Sequence, residues 1–123
     1  MKPLWLVFIL AALLSCSSLD ERPVYGPVMT PSQAKKLYAT TDYQPSYRWI
    51  RKNVFKICAY CHPNQYADMF TYDGVSALVE PGMPEQSLLY QQVASGKMPK
   101  NKKLANEKIQ VIYDWIKDGA KDN

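Results

Sequence analysis

Apolar residues recur at helical spacing in three places along the chain. Between residues 46 and 62, Tyr47, Ile50, Val54, Ile57 and Cys61 fall on one side of a helix, while Arg48, Arg51, Lys52 and Lys56 line much of the other. Pro63 disfavours helical geometry at His62 and ends the helix there. Residues 87–95 read as a shorter helix with Leu88, Leu89 and Val93 as its apolar members, stopped by Gly96. Residues 106–118 form the last helix, closed by Gly119, with Ile109, Ile112, Tyr113 and Ile116 as its stripe and Trp115 beside it. The expectation is an all-α chain of about three to five helices in which the last packs across the first.

The connecting segments differ in kind. Residues 17–44 carry Pro23, Gly26, Pro27 and Pro31 among polar residues, with Pro45 following, and no sustained apolar period; they read as a flexible tether. About thirty such residues span of the order of 30 Å. Within them, residues 32–39 are expected to form a helical turn or two capped by Ser32, and packing of Tyr38, Tyr43 and Tyr47 onto the domain would shorten the tether. Residues 64–80 are mixed: Tyr66, Met69, Phe70 and Tyr72 supply bulk and Asp73-Gly74 a turn. Pro81, Gly82 and Pro84 make a break.

Candidate chemistry is concentrated in Cys58-Ala59-Tyr60-Cys61-His62. Residues three and four apart on a helix share a face, so Cys58, Cys61 and His62 can address one object. C-x-x-C-H is the pattern that attaches a c-type haem, each sulfur forming a thioether with one vinyl group and the histidine holding the iron. Three plainer readings compete. A redox dithiol would sit beside a β-α-β pattern, which is not found; a zinc site would need four ligands, and His62 is the only histidine; a structural disulfide needs no histidine at the next position.

An electron carrier commonly adds a methionine sulfur opposite the histidine, which raises the reduction potential. Met98, in the loop segment Lys97-Met98-Pro99-Lys100 and followed by proline, suits that task. Met69 and Met83 remain rivals, and each methionine has the alternative of merely filling a gap. Met1 leaves with the N-terminal segment and Met29 lies in the tether.

Lys2, an apolar run over residues 4–14, Ser15 and Cys16 make a basic, then apolar, then small-residue series, the pattern of an export signal. The run is too short to span a bilayer comfortably. Leu13-Leu14-Ser15-Cys16 resembles the lipobox of bacterial lipoproteins, which implies cleavage before Cys16 and its lipidation; an ordinary signal peptide cut nearby is the alternative. Ser17, where an aspartate would favour inner-membrane retention, points to the outer membrane facing the periplasm. The three cysteines are then all used, one by lipid and two by haem. The formal charge of +4 falls by one with Lys2 and further with two haem propionates, and no clustered basic reading module is present, so nucleic acid is not an expected partner.

From about residue 54 to 120 the chain resembles the small single-haem c-type cytochromes, and among them the planctomycete-type cytochrome c domain. The resemblance rests on Cys58-Ala59-Tyr60-Cys61-His62, Tyr72-Asp73-Gly74, Pro81-Gly82-Met83-Pro84-Glu85-Gln86-Ser87-Leu88-Leu89-Tyr90, Lys97-Met98-Pro99 and Trp115-Ile116-Lys117-Asp118-Gly119-Ala120. It implies the all-helical cytochrome c fold around one covalent haem, with Met98 as the distal ligand. Two positions depart from the pattern: Met83 replaces an acidic residue, and Ala105 replaces a Ser or Thr that would cap the last helix.

The expected organisation is a signal peptide over 1–15, a lipidated N-terminus and tether over 16–45, and a cytochrome c domain over 46–123. The expected function is single-electron transfer between redox partner proteins by a lipid-anchored periplasmic protein. His62 and Met98 together leave iron no open position for a substrate, and Lys97, Lys100, Lys102 and Lys103 would surround the haem edge and steer an acidic partner. Without a Met98 bond, the alternative is a five-coordinate peroxidase-like enzyme or gas sensor. A further alternative is a fixed haem subunit of a membrane complex.

Overall fold

The structure, a computed structural model, describes residues 23–62 and 68–123. The signal-like segment, Cys16, Pro63 and Tyr66 lie outside the described residues. What is described is helical, with no strand: α1 (Pro31–Thr40), α2 (Tyr47–Ile50), a π-helical turn (Arg51–Phe55), α3 (Lys56–Cys61), α4 (Tyr72–Ser76), a 3₁₀ turn (Pro84–Gln86), α5 (Leu88–Ala94) and α6 (Asn106–Lys117).

The 46–62 helix forms as one path, but with a π turn inside it. Ser46 caps its start, its side chain accepting the Trp49 N–H. The extra residue in the π turn rotates everything beyond it. Tyr47, Ile50, Val54, Phe55 and Ala59 are buried, whereas Ile57 and Cys61, expected on the same stripe, face outward. A regular 3.6-residue period cannot anticipate that shift.

α6 is the central element, burying Ile109, Gln110, Val111, Ile112, Tyr113, Trp115 and Ile116. Burial on so many sides needs a cover besides the first helix. Residues 23–45 provide it, which corrects the expectation of a free tether over that range. The Met29 N–H donates to Gln110 Oε1 at 2.9 Å, the Tyr90 hydroxyl donates to the Gly26 carbonyl at 2.7 Å, and the Tyr38 hydroxyl donates to Asp114. α1 itself is capped by Thr30 rather than Ser32: Thr30 Oγ1 accepts the Gln33 N–H, Gln33 Oε1 accepts the Thr30 N–H, and Pro31 occupies the first turn, where its missing N–H costs nothing.

Other local expectations shift for identifiable reasons. Asp73 and Gly74 lie inside α4 instead of a turn, and a Cβ at Gly74 would stand 2.0 Å from the Asp68 carbonyl oxygen. The requirement for glycine is therefore close approach. In α5 the buried residues are Leu89, Tyr90 and Val93, and Leu88 is exposed because fully buried Ser87 precedes it as the cap residue. Ser87 Oγ accepts the Glu80 N–H and donates to the Met83 carbonyl, and the Gly82 N–H donates to the Ile116 carbonyl at 2.8 Å. The Pro81–Pro84 break is thus fastened to the C-terminal end of α6.

Two stability predictions follow from these contacts. Ala105 caps α6 without a side-chain hydrogen bond, so Ala105→Ser is expected to stabilise the protein by about 1 kcal/mol in chemical denaturation. Burial, then the hydrogen bond to Glu85 Oε1 at 2.6 Å, pushes the Tyr113 phenol up to about 12; Tyr38 and Tyr90 are also raised, first by burial. A raised phenol favours the fold fully below its ordinary value of about 10 and loses that contribution as pH climbs through the folded value. Stability should fall between pH about 10 and about 12, and less steeply in Tyr113→Phe, as read from denaturation midpoints across that range.

Candidate functional site

α3 ends at the motif, and its last turn groups the three residues. The His62 N–H donates to the Cys58 carbonyl at 3.1 Å, which closes the turn and makes His62 the C-cap. Cys58 is half-buried against the core, Cys61 is exposed, and both thiols are unbonded. Burial, opposed by a backbone hydrogen bond and reinforced by nearby Cys61, pushes the Cys58 thiol up. It is held as the neutral S–H.

The π turn gives this end of the helix an unusual surface. Ile57 is 48% exposed and Tyr60 is 80% exposed; with Cys61 they lie three and four residues apart, on one face. Exposed apolar groups beside two free thiols and a histidine make a surface suited to a flat apolar group attached at Cys58 and Cys61. The residues fit a covalently held haem. Among the described residues no three His, Cys, Asp or Glu side chains gather as metal ligands.

The methionines occupy different places. Met69 is 5% exposed and belongs to the core. Met83 is exposed in the turn fastened to Ile116, at the C-terminal end of α6. Met98 is half-buried in the loop between α5 and α6, its N–H donating to the Gln92 carbonyl at 3.0 Å. No hydrogen bond among the described residues joins that loop to the motif, so the relation of the Met98 loop to the motif helix is indirect.

It follows from the direction of the helices. Tyr47 meets Trp115, with ring centroids 6.1 Å apart, and further along, Lys108 Nζ donates to the Asn53 carbonyl at 3.1 Å. The motif helix therefore runs antiparallel to α6. Continued in that direction, the motif helix leads toward the start of α6, the end at which the Met98 loop enters it. Met83 lies at the other end of a 12-residue helix, about 18 Å away at 1.5 Å per residue. Lys97, Lys100, Lys102 and Lys103 are all exposed on the Met98 loop.

A groove lies elsewhere on the surface. Of about 710 Å³, it is lined by Tyr47, Arg48, Arg51, Lys52, Phe55, Lys56, Met69, Phe70, Asp122 and Asn123, and by none of the motif residues or Met98. In the sequence the basic residues of this set line the side of the helix opposite the apolar stripe that includes Tyr47. The available signal is four cations at spacings of three and four with no carboxylate among them. No helix among the described residues is long and apolar enough to cross a membrane. Comparison with known proteins returns no matching family model, no matching curated protein and no matching solved structure.

Proposed function

We propose that this chain is a mono-haem c-type cytochrome of the periplasm, anchored by lipid at Cys16, that passes single electrons between redox partner proteins. The observation that carries the reading is the grouping of Cys58, Cys61 and His62 in one closed helical turn, with both thiols free and apolar side chains left outward beside them. Cys58 and Cys61 would each add S–H across a vinyl double bond, placing sulfur on one carbon and hydrogen on the other. His62 and Met98 would hold the iron. When bound, the haem supplies a one-electron couple at iron.

The chain's own residues set the conditions for that couple. The Cys58–His62 turn fixes the histidine backbone, and the Met98–Gln92 hydrogen bond fixes the methionine backbone. Thioether sulfur binds without losing a proton, so its bond to iron is not itself tied to pH. Ile57 and Tyr60 would offer the bound group apolar contact and help exclude water from it. The exposed lysines at 97, 100, 102 and 103 would raise the encounter rate with an acidic partner at low salt and lose that effect within about one Debye length, ~8 Å at physiological ionic strength.

Two measurements test this reading. The oxidised protein, matured with haem, is expected to show the weak near-infrared sulfur-to-iron charge-transfer band, abolished in Met98→Ala and retained in Met83→Ala. A wild type that lacks the band and binds carbon monoxide readily instead supports the open-site enzyme or sensor. Cys16→Ala is expected to move the exported chain from the membrane fraction to the soluble periplasmic fraction; retention in the membrane fraction contradicts the lipid anchor.

A further inference from the structure

The groove on the flank of the motif helix carries chemistry that the haem reading does not use. Arg48, Arg51 and Lys52 are exposed along its wall, at spacings of three and four residues, with Lys56 one further step on. Like charges so placed repel one another. No described carboxylate forms an ion pair with any of them, the described ion pair being Lys121–Asp118. Asp122 is the one acidic side chain in the lining, which leaves a surplus of positive charge.

Tyr47 supplies an independent observation. It lines the groove at 6% exposure, and its hydroxyl is buried with no hydrogen-bond partner among the described residues. An orphaned buried hydroxyl is costly, and a ligand that accepts its proton removes the cost. Arg51 lies near enough for its charge to act on that hydroxyl, as do the carboxylates of Asp122, Asp68 and Asp73 in the opposite sense. Phe55, Met69 and half-exposed Phe70 make the remaining wall apolar.

We propose that this groove binds an organic phosphate ester, its phosphate held by Arg48, Arg51 and the Tyr47 hydroxyl and its organic part lying against half-exposed Phe70. The geometry of the anion decides between classes. A carboxylate presents two oxygens in one plane and is satisfied by one guanidinium fork. A tetrahedral phosphate presents oxygens in several directions and can take two guanidinium groups and a hydroxyl together. The volume, about 710 Å³, falls in the range of small-molecule sites. The ester's source is either a soluble monoester or a phospholipid headgroup, and the two share this chemistry. The proposal does not rest on the haem reading, since no groove residue belongs to the haem motif.

Calorimetric titration of the full chain with phenyl phosphate, benzoate and monomeric dihexanoyl phosphatidylglycerol tests it. Phenyl phosphate is expected to bind, Tyr47→Phe to weaken it about tenfold, and Arg48→Ala/Arg51→Ala by more than about tenfold. Tighter binding of the phosphatidylglycerol with the same sensitivity assigns the site to a lipid headgroup; tighter phenyl phosphate assigns it to a soluble ester. The arginines are exposed, so the double variant is expected to keep the wild-type melting transition. The absence of binding by either phosphate, equal binding of benzoate, or affinities unmoved by both variants would overturn the proposal.

Discussion

The burial of α6 is the constraint on which the other contacts depend. Seven of its twelve residues are withdrawn from water, more than one amphipathic stripe supplies, so the helix needs covers on several sides. The motif helix provides one through Tyr47 and Asn53, α5 provides another through Tyr90 against Tyr113, and residues 23–45 close the remainder. Residues 23–45 arrive with polar ties because α6 carries Gln110 and Asp114, and the Ile116 carbonyl at its end accepts the Gly82 N–H. The resulting order places the Pro81–Pro84 turn at the C-terminal end of α6.

The π turn is what converts this packing into a candidate site. A regular helix with Ile50 and Val54 buried would carry Ile57 and Cys61 inward as well, leaving one thiol in the core. The extra residue between Arg51 and Phe55 lets Phe55 and Ala59 take the buried positions and turns Ile57, Tyr60 and Cys61 outward. π turns recur at functional sites for this reason. Here the same turn also spreads Arg51 and Phe55 along the basic groove.

The three periodic helices, two of them with glycine stops, were legible in the sequence because each depends on residues a few places apart. The motif was legible for the same reason, since its three reactive groups are contiguous. The π shift was not, because an inserted residue leaves the apolar count unchanged and alters only the phase. The docking of the tether was hidden too: its ties join residues 81, 76 and 64 positions apart, and nothing local marks Gly26 or Met29 as partners of α5 and α6. Met98 stood out by its proline, while its distance from Met83 needed the fold. The groove required Asp122, Met69 and Tyr47 to meet, a combination no spacing rule covers.

The central claim is that Cys58 and Cys61 hold haem through thioether bonds. The most direct measurement is denaturing electrophoresis of the exported protein followed by staining for haem peroxidase activity. The account predicts a stained band that comigrates with the wild-type chain and is absent for the Cys58→Ala/Cys61→Ala variant. A wild-type chain that is exported and folded yet carries no stain would contradict it, and would return the two cysteines to the dithiol or disulfide reading.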